Sequence, residues 1–208
     1  MTIFYEFDGK LYANITNKCP CACTFCIRKN GDSVGGSDSL WLEHEPSFEE
    51  IIEAFDRFDK SVLTERELVF CGYGEPMMRA EILIKTAEHV KANTDMKIRI
   101  NTNGLISLMN PEFDISSLKY KIDKVSISLN ASDPDKYVRI TNPKFGLPSY
   151  NSMLNFALRV QEFVPEVSFT IVDCGLDAEE IELCRQRAKD CGVPLRIRHY
   201  VMDNERYV

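Results

Sequence analysis

The stretch Lys124–Asn130 reads Lys-Val-Ser-Ile-Ser-Leu-Asn and alternates apolar with polar residues. Because successive side chains of a β-strand point to opposite faces, this alternation predicts a strand with one apolar and one polar face. Parallel strands covered by helices on both faces read instead as nearly continuous Val, Ile and Leu runs. The polar face is therefore expected to line a wet cavity that holds a polar, anionic ligand.

The same alternation occurs in other predicted strands. Ile98 and Ile100 alternate with Arg99 and Asn101, and Leu195 alternates with its arginine neighbours in the same way. A sheet with one solvent-exposed face is the alternative, as in many antiparallel sheets, but intervening helices favour a parallel sheet. The predicted strands are Lys10–Ile15, Glu67–Cys71, Lys97–Thr102, Lys124–Asn130, Glu166–Val172 and Pro194–Val201.

Helices are predicted between these strands from capping signals and hydrophobic spacing. Ser47 with Glu50 forms a capping box ahead of an apolar run, and Asp177 with Glu180 repeats the pattern. Gly192 and the following proline end the last helix. Two further helices are predicted over Arg79–Ala92 and Tyr150–Phe163.

Strands that alternate with helices predict right-handed parallel β-α units. Six such units fit in 208 residues, whereas a closed eight-stranded barrel needs about 250. Asp8-Gly9 predicts a tight hairpin turn ahead of the first unit. The predicted fold is α/β, an open partial (β/α)6 barrel of parallel strands with helices outside and a short N-terminal β-hairpin. No linker or repeat is evident, so residues 1–208 are predicted to form a single domain.

Composition narrows the functional class. The net charge of −7 argues against a nucleic-acid binder, because sequence-independent affinity for phosphates comes from clustered Lys and Arg. No apolar run reaches the roughly 20 residues of a membrane span, and no signal peptide is evident, so a cytoplasmic protein without membrane contact is expected. In a reducing compartment, clustered cysteines are more often a metal or catalytic site than a disulfide framework.

Three of the eight cysteines follow the first predicted parallel strand. Cys19, Cys23 and Cys26 are separated by three and then two residues. They lie at the carboxyl end of the strand, where open α/β sheets bind ligands. This compact spacing suits an iron-sulfur cluster, whereas a structural zinc site usually uses two separated ligand pairs. Cys21 leaves a four-thiolate electron-transfer cluster or a tight zinc site open, although its position predicts that it points away from Cys19 and Cys23.

The cysteine spacing, with Phe25 directly before the third cysteine, resembles the radical S-adenosylmethionine (SAM) superfamily. The resemblance implies that Cys19, Cys23 and Cys26 hold three irons of a 4Fe-4S cluster and that SAM binds the open fourth iron. It also implies reductive cleavage of SAM to a 5′-deoxyadenosyl radical, which abstracts hydrogen from the substrate. Such an enzyme needs a flavodoxin- or ferredoxin-type reductant.

Three further strand ends match the superfamily pattern. The segments Phe70–Pro76, Asn101–Gly104 and Val125–Ala131 resemble its glycine-glutamate, Thr-Asn-Gly and fourth-strand motifs. Each alone has an ordinary explanation, because Glu favours a helix N-terminus, Asn-Gly forms turns and Ser or Asn caps helices. The candidate SAM-binding residues implied by the resemblance are Gly72, Gly74, Glu75, Thr102, Asn103, Ser126, Ser128 and Asn130.

The N-terminal part, through Asp38–Pro46, further resembles small radical SAM proteins associated with TatD-family hydrolases. That resemblance implies such a hydrolase as a candidate partner and assigns no substrate. The remaining cysteines lack compact ligand spacing and are expected to be buried or incidental thiols: Cys71, Cys174, Cys184 and Cys191.

Substrate contacts are predicted from charge and from the long loop after the cysteines. Arg99, Arg196 and Arg198 share the polar strand faces and suit a carboxylate or phosphate, although ordinary surface charge is the alternative. The loop Arg28–Pro46 is long enough to predict a lid. The leading function is a radical SAM enzyme with an unidentified, small anionic substrate. The alternative is a non-enzymatic iron-sulfur or zinc module for electron transfer or partner binding.

Overall fold

The computed structural model describes residues 1–34 and 37–200, which form a seven-stranded sheet in the order of the chain, β1 to β7. β1 pairs antiparallel with β2, and every later neighbour pairs parallel. The fold is therefore the predicted α/β arrangement of six parallel strands behind an N-terminal hairpin, consistent with an open partial barrel. The strands are β1 Phe4–Phe7, β2 Lys10–Ala13, β3 Glu67–Phe70, β4 Lys97–Thr102, β5 Lys124–Ser128, β6 Glu166–Val172 and β7 Leu195–Arg198.

Helices follow the strands, as the alternating pattern predicts. In the hairpin, Asp8 and Gly9 both adopt positive φ, at 51° and 71°, which two-residue turns of this type require. Within the described chain, no helix is both long and apolar enough to span a bilayer. The helices are α1 Phe48–Arg57, α2 Ala80–Asn93, α3 Ile106–Met109, α4 Pro134–Thr141, α5 Pro148–Val160 and α6 Ala178–Asp190.

The two predicted helix caps differ in the structure. Ser47 and Glu50 make both reciprocal bonds of a capping box. Asp177 caps α6 by accepting from the Glu180 backbone N–H, but the Glu180 side chain does not return the bond. Instead it accepts hydrogen bonds from the backbone N–H (2.7 Å) and hydroxyl (3.0 Å) of Ser132. The second capping box was therefore wrong, because a tertiary partner competes for the Glu180 carboxylate.

Several element boundaries also differ. β2 ends two residues before the predicted Ile15, and β5 ends at Ser128 because Asn130 adopts a left-handed conformation with φ 59°. β7 covers Leu195–Arg198, and the predicted end of this strand, Val201, lies outside the described residues. Helix α4 was not predicted, although Asp133 caps it and Pro134 occupies its first turn.

One face of the sheet forms the core. Leu11, Leu68 and Ile98 lie side by side on β2, β3 and β4 and are all fully buried. Ile127 and Phe169 continue this layer on β5 and β6. Burying these side chains against the helices removes apolar surface from water, the main favourable term in folding. The residues that alternate with these core residues along each strand point to the opposite face of the sheet, which is the barrel interior.

Candidate cofactor site and barrel interior

The cysteine segment leaves the carboxyl end of β2 and is held by the end of α4. The backbone N–H of Ala22 donates to Thr141 O (3.0 Å), and that of Thr24 donates to Ile140 O (2.8 Å). Cys21 forms an isolated antiparallel bridge with Pro143. The chain around Cys21 is therefore extended and supported by backbone contacts from a helix that the sequence analysis missed.

Cys21 is buried, and its thiol lies close enough to those of Cys19 and Cys23 for the three groups to shift one another's pKa. Residues two apart in extended chain lie on the same side, which is the arrangement here, and the prediction that Cys21 points away once Cys19 and Cys23 converge on a metal stays a prediction. The nearby Cys21 thiol lowers the pKa of Cys19 to about 6 and also lowers that of Cys23. The pKa of Cys21 itself is raised by these two neighbours and by burial. Two of the three predicted ligands thus favour the thiolate form that binds metal.

A single guanidinium group lies beside the cysteines. Arg28 Nε donates to Cys26 Sγ at 3.4 Å, and Nη1 donates to Asn17 O at 3.2 Å. Its carbon Cζ is 5.9 Å from the centre of the Trp41 ring. The positive charge of Arg28 also contributes to lowering the pKa of Cys19 and Cys23. A fixed cation at this place stabilises negative charge on bound thiolates.

The three thiols at Cys19, Cys23 and Cys26 suit an iron-sulfur cluster. Among residues 1–34 and 37–200, no three His, Cys, Asp or Glu side chains are arranged to hold one metal ion. A cubane of iron and sulfide is larger than one ion, so its ligands need not converge on a single point. The donor set of three thiols in a short loop is the set that such clusters use.

The glycine-rich segment after β3 packs against the chain that leads to Cys19. A Cβ on Gly74 would lie 2.2 Å from Thr16 O and 2.7 Å from Lys18 O, and one on Gly72 would lie 2.2 Å from Asn14 Oδ1. These glycines were expected to let the backbone approach a ligand. In the structure they let the end of β3 approach the cysteine segment, and the Glu75 backbone N–H donates to Lys18 O at 2.9 Å.

Glu75 joins the ends of β3 and β4. Its carboxylate is buried and accepts from Thr102 Oγ1 (2.7 Å), the Asn103 backbone N–H (2.7 Å) and the Met77 backbone N–H (3.0 Å). Burial raises the pKa of Glu75 to about 7, and the nearby Cys19 adds to this rise. Among the described residues, Oε2 accepts only from Asn103, so this oxygen retains capacity for an ammonium donor.

Among the other strand-end candidates, Asn103 contacts the cysteine segment. Asn103 Nδ2 is 3.8 Å from Cys21 Sγ, which links the end of β4 directly to the cysteine segment. The hydroxyl of Thr102 accepts from the Gly104 backbone N–H at 3.1 Å. Asn130 lies beyond the end of β5, and its side chain has no hydrogen-bond partner in the described residues. Thr102, Asn103 and Glu75 are thus in mutual contact, while Asn130 keeps free polar atoms.

Ser126 and Ser128, predicted to bind SAM, line an interior cavity of about 90 Å³. The three predicted substrate arginines also line this cavity, so the fold brings together Arg99, Arg196 and Arg198. A second cavity of about 600 Å³ shares Arg99, Ser126 and Arg196 and extends past the amino ends of β5 and β6.

Two asparagines that the sequence analysis missed hold the long loop on the sheet. Asn14 Nδ2 donates to Leu40 O at 2.7 Å, and Leu40 is fully buried. Asn17 makes two bonds to the Leu42 backbone, at 2.8 Å and 3.1 Å. Asparagines that flank a cysteine motif were the available signal. The predicted lid stays a prediction, and its glycines at 35 and 36 lie outside the described residues.

Comparison with known families decides the class of this site. A family model described as the radical SAM superfamily matches residues 13–188. The chain belongs to the radical SAM superfamily. Members of this superfamily are enzymes that use a 4Fe-4S cluster and SAM, and these are the cofactors of this chain. The narrower resemblance to TatD-associated proteins stays a prediction.

Individual radical SAM proteins are more distant. A GTP 3′,8-cyclase of Rhizobium meliloti is 28% identical over 134 residues, which cover 63% of this chain and 35% of that protein. The chain therefore spans about a third of that relative's length. A radical SAM methyltransferase of Sphaerobacter thermophilus superposes with a TM-score of 0.58 at 15% identity, covering 94% of this chain and 68% of that one. SuiB of Streptococcus suis bound to S-adenosylmethionine gives 0.65 at 15% identity, covering 94% and 41%. The two structures support the fold alone.

Proposed function

We propose that this radical SAM protein uses a 4Fe-4S cluster with one open iron to cleave SAM reductively and abstract hydrogen from an anionic substrate. The observation that carries the proposal is the position of Cys19, Cys23 and Cys26 at the carboxyl end of β2, beside the ends of β3 and β4. When bound, the cluster and SAM supply a 5′-deoxyadenosyl radical. The protein contributes binding, orientation and exclusion of side reactions.

Each residue near the strand ends has a definable task. Cys19, Cys23 and Cys26 hold the cluster, and Arg28 offsets part of its negative charge. Glu75 Oε2 accepts from the SAM ammonium group, because it is the carboxylate oxygen with spare capacity. Cys21 is not a ligand in this proposal, and its buried thiol favours the thiolate form of the two neighbouring cysteines.

The remaining candidates contact other parts of SAM. Thr102 and Asn103 shape the pocket wall at the end of β4, where both already bond to Glu75. Asn130, whose side-chain donors are free within the described chain, suits the carboxylate or the ribose hydroxyls. Ser126 and Ser128 line the interior cavity together with the three arginines, so we propose that they contact the substrate as well as SAM.

The proposal implies partners and a compartment. Reductive cleavage needs one electron, so we expect a flavodoxin- or ferredoxin-type reductant, and the narrower resemblance suggests a TatD-family hydrolase as a second partner. All eight cysteines are free thiols in the structure, which suits the cytoplasm. The GTP 3′,8-cyclase relatives act on a phosphorylated nucleotide by name, which agrees with an anionic substrate.

Anaerobic reconstitution tests this function. The chain is loaded with iron and sulfide, reduced with dithionite and incubated with SAM, and 5′-deoxyadenosine is measured. We expect product from the wild type and none from Cys23→Ala. A reducible cluster that binds SAM under varied conditions but never yields 5′-deoxyadenosine would favour the electron-transfer alternative instead.

A further inference from the structure

We propose that the barrel interior contains a site for one oxyanion, a phosphate or carboxylate group of the substrate, bound by Arg99, Arg196 and Arg198. Its assignment to the substrate rests on the proposed function. Binding of the anion itself requires neither the cluster nor SAM.

The charge that lines the smaller interior cavity is positive. Its lining includes four cations, Lys10, Arg99, Arg196 and Arg198, and one carboxylate, Asp8. Lys10 is already paired with Asp8 at 3.2 Å and with a glutamate at 2.8 Å. Arg196 and Arg198 have no ion-pair partner within the described chain. A positive cavity in a chain with a net charge of −7 calls for an anionic ligand.

Glu67 and Tyr12 hold one end of the Arg99 guanidinium group and leave its Nε–H available to a ligand. Its Nη2 lies 3.3 Å from Glu67 Oε2 and 3.5 Å from Tyr12 Oη. Glu67 also pairs with Lys124 at 3.2 Å, and Lys124 pairs in turn with the exposed Glu166 at 3.6 Å, so Arg99 shares its buried carboxylate with a second cation. Arg99 Nε is buried and has no hydrogen-bond partner within residues 1–34 and 37–200. A buried donor without a partner is unfavourable, and a bound oxyanion would supply that partner.

The neighbouring polar groups complete the site. Asn101 Oδ1 is also buried without a partner, and it would accept from a hydroxyl group next to the anion. The hydroxyls of Ser126 and Ser128 face the same cavity. Ser126 Oγ is 3.5 Å from Ser168 Oγ, at the limit of a hydrogen bond, so it remains available to a ligand.

The size of the cavity restricts what it holds. Its volume of about 90 Å³ is well below the roughly 300–1,000 Å³ of a pocket for a whole drug-sized molecule. It therefore suits one charged group of a substrate whose remaining atoms lie elsewhere. Guanidinium groups match the planar fork of a carboxylate and two oxygens of a phosphate equally, so both share this chemistry.

The site lies below the carboxyl ends of the strands, where a bound anion can orient the rest of the substrate. Ser128 is the last residue of β5, and Ser126 precedes it by two residues, which at about 3.3 Å per residue places Ser126 about 7 Å below the strand end. A substrate anchored there by its anion would extend toward the SAM-binding edge. Fixing one end of the substrate would bring one carbon atom to the reacting position.

Binding of inorganic phosphate and of acetate to the full chain without added iron tests the site. Calorimetric titration and thermal unfolding are performed at constant ionic strength with chloride as the reference anion. We expect at least one probe to bind the wild type. In the double variant Arg196→Gln, Arg198→Gln, affinity should fall about tenfold or more, because two charge-assisted donors are lost. The probe that binds identifies the class as phosphate or carboxylate.

The control is Arg185→Gln, which removes an exposed arginine from the outer helix α6 and should leave affinity unchanged. Circular dichroism checks folding, and the variants Arg196→Lys and Arg198→Lys should show intermediate affinity because charge remains while the planar fork is lost. Equal affinity in wild type and double variant, or no binding of either probe, would overturn the proposal. Because iron is absent, this result is independent of whether the chain cleaves SAM.

Discussion

The contact between Gly74 and the chain before Cys19 leads to a strong prediction for Gly74→Ala. The added Cβ would lie 2.2 Å from Thr16 O and 2.7 Å from Lys18 O. Both atoms belong to the backbone, so no side chain can rotate away, and the segment that presents the cysteines must move. Overpacking typically costs 1–3 kcal/mol, and two backbone clashes place this variant near the upper limit, at about 3 kcal/mol. For a chain of this size that corresponds to a fall in Tm of roughly 6–12 °C.

The assay is urea unfolding of the iron-free chain, followed by iron analysis after reconstitution. We expect Gly74→Ala to lose both stability and iron. Gly146→Ala is the control, because Gly146 has a φ of +61° but no atom within 4 Å of the added Cβ. It should lose only about 1 kcal/mol from backbone strain and keep its iron. Wild-type stability and iron content in Gly74→Ala would refute the role given to this close approach.

Three further predictions concern buried polar groups. Cys21→Ala should retain most of its iron after reconstitution, whereas Cys23→Ala should retain none; the reverse order in iron analysis would contradict the ligand assignment. The raised pKa of Glu75 means that its contribution to the stability of the iron-free chain is present below about pH 4.5 and is lost as pH rises through about 7. Between about pH 4.5 and 7, the free energy of unfolding of the wild type should fall by about 3 kcal/mol relative to that of Glu75→Gln, as measured by urea unfolding. If the free energies of unfolding of the two proteins change in parallel with pH, the raised pKa of Glu75 is excluded. Glu180→Ala leaves the N–H and hydroxyl of a buried serine without acceptors and should cost about 3 kcal/mol, against less than about 1 for the exposed Glu179→Ala; equal unfolding midpoints would contradict it.

The sequence predicts those features of the fold that local rules control. The alternation in Lys124–Ser128 shows directly which side chains enter the core and which face the interior. The turn at Asp8-Gly9 depends only on two residues that tolerate positive φ, and it was confirmed. The cysteine spacing is also local, because Cys19, Cys23 and Cys26 lie within eight residues of the chain.

Tertiary contacts account for what the sequence analysis missed. Cys21 lies on the same side as Cys19 because a bridge to Pro143 keeps the segment extended, and nothing near Cys21 in the sequence indicates that bridge. The Glu180 side chain accepts a hydrogen bond from Ser132, 48 residues earlier, and not from the N-terminus of its own helix. Such partners come together only after the sheet has formed.

The arginines likewise have tertiary contacts that the sequence does not predict. Parity placed Arg99 on the polar face of its strand, but it could not reveal that buried Glu67 neutralises part of its charge. It also could not show that Arg196 and Arg198, about 100 residues later in the chain, line the same cavity. The class of substrate can therefore be inferred only from the folded structure, in which the arginines line one cavity.

The central claim is that three cysteines leave one iron of the cluster open for SAM. Electron-nuclear double resonance on the reduced, reconstituted protein with SAM labelled with 15N at the amino group and 17O at the carboxylate measures this directly. The account predicts hyperfine coupling of both labels to the cluster, in the wild type and in Cys21→Ala alike. A reduced cluster that shows no coupling to bound, labelled SAM would contradict it.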